Sequence, residues 1–111
     1  MRRGEVWLVN FGDPSGPEQA GVRPAIVLQN DLLNPYVETS IVVPLTTKTK
    51  RLTIPTTVFL PAGEAGLPED SVVLCHQVQV RGKVRLLSRY GALSPERLVE
   101  VQNAVLDAPN L

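Results

Sequence analysis

Runs and alternations of apolar residues divide the chain into short segments. Residues 5–11 place Val6 and Leu8 on one face and Trp7, Val9 and Phe11 on the other, the pattern of a strand covered on both sides. Residues 12–21 then break all order, with three glycines and two prolines among Asp13, Ser15, Glu18 and Gln19, and predict a polar, mobile loop able to act as a lid. Further strands are expected at 25–29, 40–45 and 56–60, with a long one at 70–80 whose far end alternates polar and apolar residues. Pro44 argues for a sheet edge or a bulge, because it has no N–H to give a ladder. Arg81-Gly82 reads as a turn, followed by an irregular stretch and a brief strand ending near Ala92.

One segment has helical spacing. Ser94 is an N-cap, Pro95 the first helical residue and Glu96 a first-turn acid, while Leu98, Val101 and Val105 make one apolar stripe. Five or six short strands and one amphipathic helix predict a mainly β, α+β domain: a small, strongly bent antiparallel sheet or partly open barrel with the helix packed on it. A chain of 111 residues fits one such domain, with no repeat and no linker.

Charge refines this picture through its distribution. The formal net charge is zero, which excludes a generally basic nucleic-acid coat, yet Lys48, Lys50 and Arg51 form one basic cluster and Arg81, Lys83, Arg85 and Arg89 another. Solvated loops are the bland reading of each cluster. Cys75 is the single cysteine, so no intrachain disulfide forms, and its apolar neighbours predict a buried hydrophobe in a reducing compartment. His76 points to the opposite strand face and cannot readily pair with it in catalysis. The apolar run at 6–9 is too short for an export signal and no stretch reaches membrane length, so a cytoplasmic protein is expected.

Candidate chemistry centres on Gly21-Val22-Arg23-Pro24. Pro24 fixes its own φ and restricts Arg23 to extended conformations, so the guanidinium is partly positioned before anything binds. Its planar fork of donors matches phosphate or carboxylate oxygens. The commoner fate of an arginine is a surface ion pair, here with Glu18 or Asp31. Elimination narrows the chemistry open to it: there is no pair of histidines, no spacing for metal ligands, no phosphate-cradling glycine motif before a helix and no evident cofactor site. What remains is Arg23 beside a polar loop, and Thr46 to Arg51, a run of hydroxyls and cations at a strand end. Those groups suit a phosphoryl transition state, and RNA supplies its own nucleophile in the 2′-hydroxyl.

The segments Glu5-Val6-Trp7, Gly21-Val22-Arg23-Pro24 with Val27 and Gln29-Asn30-Asp31, Pro44-Leu45-Thr46, Asp70-Ser71-Val72 and Gln77-Val78 resemble the MazF/PemK toxin endoribonucleases. The resemblance spans the chain, and its most specific part couples the Arg-Pro segment to a strand-end threonine. It implies an SH3-like, PemK-like barrel that forms a homodimer and cuts single-stranded RNA at short motifs without metal or cofactor, leaving a 2′,3′-cyclic phosphate and a 5′-hydroxyl. By the same matching Arg23 and Thr46 are the catalytic positions, and Gln19, Asn30, Lys48 and Gln77 are candidates for RNA contact. A separate antitoxin with an acidic C-terminal tail is the expected partner, and no membrane association is. His76 stands where relatives carry an acid, which bears on base preference.

Arg23 is expected to act as a charged clamp and not as a base. Bringing a guanidinium from above about 12 to near neutrality costs roughly 7 kcal/mol at about 1.4 kcal/mol per unit, more than a partly open cleft supplies. Thr46 then donates to a nonbridging oxygen. Two other classes fit the same architecture: a CcdB-like toxin that binds DNA gyrase through its C-terminal region, weakened here because the only tryptophan is Trp7, and a ligand-binding barrel with no toxic role.

Overall fold

The computed structural model describes residues 1–12 and 21–108. Seven strands run in the order β1 (Glu5–Asn10), β2 (Val22–Val27), β3 (Thr39–Thr46), β4 (Thr57–Leu60), β5 (Ser71–Leu74), β6 (Gln79–Gly82) and β7 (Leu86–Ala92), followed by helix α1 (Pro95–Asp107). All pairings are antiparallel, in the spatial order β4-β5-β3-β2-β1-β7, with β6 also on β3. The two end strands, β4 and β7, do not pair with each other, so the sheet bends without closing. The expected mainly β fold with a C-terminal helix is therefore present as an open barrel.

Three details of the strand pattern differ from expectation. β3 is central, not an edge: β2 lies on one side, and β5 and β6 share the other. Pro44 is tolerated because it falls where β3 changes partner, after Val42 has paired with Gln79 and before Leu45 pairs with Val73. The long strand predicted at 70–80 is in fact two. Between those two pairs β3 advances from Val42 to Leu45 while its neighbour runs from Val73 to Gln79, and the surplus residues Cys75–Gln77 coil into a 3-10 turn. Arg81 and Gly82 lie within β6, and the turn follows at Lys83–Arg85.

The strands carry apolar groups on both faces, as the pattern in β1 implied. On one side Val6, Ile26, Val43, Leu45, Leu60 and Val73 form the larger core, which α1 covers with Val101, Leu98 and Val105. The neighbouring residues Val9, Phe11, Ala25 and Val42 point the other way into a smaller cluster that receives no helix residue. Cys75 is buried in the larger core, and desolvation pushes its thiol up to about 12, consistent with a packing residue.

The helix starts as its sequence signals require. Ser94 Oγ accepts from Arg97 N at 3.2 Å, and Pro95 occupies the first turn. Arg97 also grips Glu64 through two hydrogen bonds of 2.7 and 2.9 Å, tying α1 to the turn at Glu64–Gly66. That turn lies hard against β7: a Cβ added at Gly91 would come within 2.6 Å of Ala65 O, and one at Gly66 would collide with Tyr90 O. Only glycine permits this approach of two backbones. Leu67, 2% exposed, then anchors the segment into the core.

Candidate functional site

The hydrogen-bonded ladder between β2 and β3 stops at Ala25 opposite Pro44. Neither Pro44 nor the next residue along β2, Pro24, has an N–H with which to continue it. β2 nevertheless continues as a strand on β1, with Arg23 opposite Val9, and β3 continues on β5, with Thr46 opposite Val72. Arg23 and Thr46 each lie two residues beyond the last β2–β3 pair, so alternation along each strand puts them on the same side as Ala25 and Pro44. Residues level with each other in an antiparallel pair project from the same face. Two prolines thus part the ladder at the place where a cation and a hydroxyl face one way.

Arg23 is exposed, as the second residue of β2 and not ahead of it. Asp31, considered as its ion-pair partner, is engaged elsewhere: its Oδ1 accepts from Arg3 N at 2.9 Å and from Asn34 Nδ2 at 3.1 Å. Glu18 lies outside the described residues. Thr46 is 6% exposed, with Oγ1 accepting from Lys48 N at 3.2 Å. That bond fixes the side chain and leaves the hydroxyl proton available to donate. Lys48 thus enters the site through its backbone, while its side chain is exposed beside Thr47 and Thr49.

The face shared by Arg23 and Thr46 is that of the smaller apolar cluster. Gln79 pairs with Val42 and Arg81 with Ser40, so both project to it as well. Arg81 lies over the Phe11 ring, 5.6 Å from its centroid, a contact that holds a cation on this surface. Gln79 Nε2 donates to Gln77 O at 3.1 Å. His76, Gln77, Gln79 and Arg81 border a hollow of about 350 Å³. Gln77 is held oddly within it: Nε2 is 3.3 Å from His76 Nε2, while Oε1 is buried without a partner. Arg81 and Gln79 belong to this surface, although along the chain they stood out only as members of a basic cluster and an alternating stretch.

Not every candidate converges here. Asn30 lies seven residues along from Arg23, roughly 20 Å in extended chain, and its Oδ1 accepts from Leu32 N at 2.9 Å to cap a turn. Gln19 and the expected lid loop fall outside the described residues. Among the described residues no three His, Cys, Asp or Glu side chains form a metal-binding group, and no helix is long and apolar enough to cross a membrane.

A second recess, of about 230 Å³, opens around the first residues of β2. Val22, Arg23 and Pro24 form one wall, Leu67, Pro68 and Glu69 another, and Thr47, Ser71 and Tyr90 complete it. No sequence motif announced it, because the close approach at Gly66 and Gly91 assembles it from distant segments.

Residues 2–108 match the family model of PemK-like, MazF-like toxins of type II toxin-antitoxin systems. The chain belongs to this family. It is 38% identical over 105 residues to the endoribonuclease MazF of Staphylococcus saprophyticus, covering 95% of this chain and 88% of that protein. MazF from Deinococcus radiodurans superposes with a TM-score of 0.82 at 26% identity, covering 100% of this chain and 97% of the other. A mycobacterial endoribonuclease in complex with its cognate antitoxin gives 0.80 at 25%, covering 100% and 96%. The resemblance noted from the Arg-Pro and threonine segments is thus a family relationship, and the gyrase-directed alternative is not carried forward.

Proposed function

We propose that this chain cleaves single-stranded RNA at short motifs without metal or cofactor, with Arg23 and Thr46 as its catalytic pair. That it is an endoribonuclease toxin of the MazF kind follows from family membership; the chemistry and the residue roles are our reading. The single observation that supports them is the parted ladder: Arg23 and Thr46 each lie two residues beyond its last pair, Ala25 and Pro44.

Arg23 clamps two nonbridging oxygens of the scissile phosphate, and the Thr46 hydroxyl donates to one of them as negative charge builds in the pentacovalent state. The ribose 2′-oxygen attacks phosphorus as its proton passes to water. The bond to the 5′-oxygen breaks and that oxygen takes a proton from water, leaving a 2′,3′-cyclic phosphate and a 5′-hydroxyl. Lining up the attacking oxygen is the larger part of the work. Gln77 and Lys48 hold the strand beside this centre, with Gln19 and Asn30 extending the contact.

The same reading makes the protein a cytoplasmic homodimer, restrained by an antitoxin whose acidic C-terminal tail lies across the basic groove. Support for a self-association surface comes from Ile41 and Val80, a cross-strand pair facing away from the smaller cluster, and from the nearby Leu106, which is 70% exposed. Support for the tail comes from Arg23 and Arg81 on one face and from the antitoxin-bound mycobacterial neighbour.

The test is to incubate the purified protein with a long RNA in EDTA and map the new ends. Cuts at a recurring short motif with 5′-hydroxyl and cyclic-phosphate ends are expected. Cleavage only after a divalent metal is restored would overturn the mechanism.

A further inference from the structure

We propose that the recess beside Arg23 is a nucleobase subsite in which Glu69 selects guanine next to the cut phosphate. The proposal rests on the endoribonuclease reading and adds a specificity-determining residue to it. The recess holds about 230 Å³ between the apolar surfaces of Pro24 on one side and Leu67 and Pro68 on the other, with Tyr90 alongside. That is room for one flat base, and an unpaired RNA strand offers its bases to such aromatic and apolar walls. Arg23 borders the recess where β2 and β3 have parted, so a phosphate held on its face passes an adjoining base between the strands into it.

The carboxylate at the rim of the recess points to the base it takes. Glu69 is exposed and enters no ion pair among the described residues. A negative group beside a phosphate clamp repels the substrate backbone, so its place is explained by a contact that uses it. A carboxylate accepts hydrogen bonds through two oxygens. Guanine alone among the RNA bases presents two adjacent N–H donors, N1–H and N2–H, on its Watson-Crick edge. On the other bases each donor on that edge is flanked by an acceptor that a carboxylate would repel.

The segment bearing Glu69 is built to hold a position. Ser71, 3% exposed, donates from Oγ to Glu69 O at 3.0 Å, and Asp70 Oδ1 accepts from Ala62 N at 2.8 Å. Gly63 N donates to Leu67 O at 2.7 Å, and the contact at Gly66 and Gly91 seats the turn on β7. A reading group must be placed before the base arrives if it is to discriminate.

The experiment is cleavage of a randomised RNA pool by the wild type and by Glu69→Gln, with sequencing of both product ends. Glu69 is exposed, so both proteins should melt alike. The wild type is expected to show guanine enriched at one position flanking the cut, and E69Q to lose that enrichment by about tenfold or more, the low end for a bidentate base contact. Cleavage of the guanine-bearing motif by E69Q should fall by about tenfold while its melting temperature stays that of the wild type. Replacing that guanine by inosine, which lacks the N2 amino group, should slow the wild type and leave E69Q unchanged. An unaltered motif in E69Q, or a wild-type motif without guanine at either flank, would overturn the subsite while leaving the nuclease intact. No cleavage of any RNA by the wild type would overturn the nuclease reading and this proposal with it.

Discussion

The two faces of the same central strands are built for different ends. On one, Ile26 and Val43 turn toward α1 into a core of fully buried aliphatic side chains. On the other, Ala25 and Val42 lead outward to Arg23, Thr46, Gln79 and Arg81, and no helix residue covers them. Strand alternation lets one short sequence supply both, because each successive residue changes side. If the first face carries the stability and the second the proposed chemistry, substitutions should separate the two.

The largest effect on stability is expected from the packed face. Leu60→Ala removes a fully buried side chain and should lower the unfolding free energy by about 2–5 kcal/mol in urea titrations, with cleavage per folded molecule little changed. Ser94→Ala deletes the cap of the helix that covers this face and should cost about 1 kcal/mol by the same measurement. On the open face, Arg81→Ala removes the Phe11 contact and should cost only about 0.5–1 kcal/mol of stability. Its signature lies in RNA binding, where the slope of log affinity against log salt should fall by about 0.7 if the cation meets one phosphate of a single strand.

The smallest effect belongs to Glu5, at the start of β1. Burial raises the Glu5 carboxyl, but hydrogen bonds from Trp7 and Arg89, another from Arg2 N and the charge of Arg89 outweigh it, holding the group below its ordinary 4.5. A depressed carboxyl contributes stability that is complete above its unfolded value and is lost as pH falls through the lower folded one. Glu5→Gln should therefore flatten the decline of stability with acid below about pH 4.5, as followed by thermal melts across pH.

Much of this was legible in the residues. Alternation in β1, the caps of α1 and the apolar stripe of Leu98, Val101 and Val105 are local signals, and each appears where expected. The conformational limits that Pro24 sets on its neighbour pointed to Arg23. What stayed hidden depends on pairing between distant segments. No composition rule reveals that Cys75–Gln77 are surplus to a ladder, since the surplus exists only relative to β3. Pro44 implied a missing donor, but whether that means an edge or a change of partner is set by neighbouring strands. The recess at Glu69 depends on Gly66 and Gly91 meeting across the fold, which neither glycine announces.

The most direct test of the central claim is single-turnover cleavage in EDTA of an RNA carrying the mapped motif, comparing the wild type with Arg23→Lys. Lysine keeps the charge and removes the fork, and the position is exposed, so folding should be unaffected. A rate lower by about 10²–10³ with unchanged stability is predicted for a donor aimed at the developing oxyanion. A near-normal rate for the lysine variant would contradict the clamp.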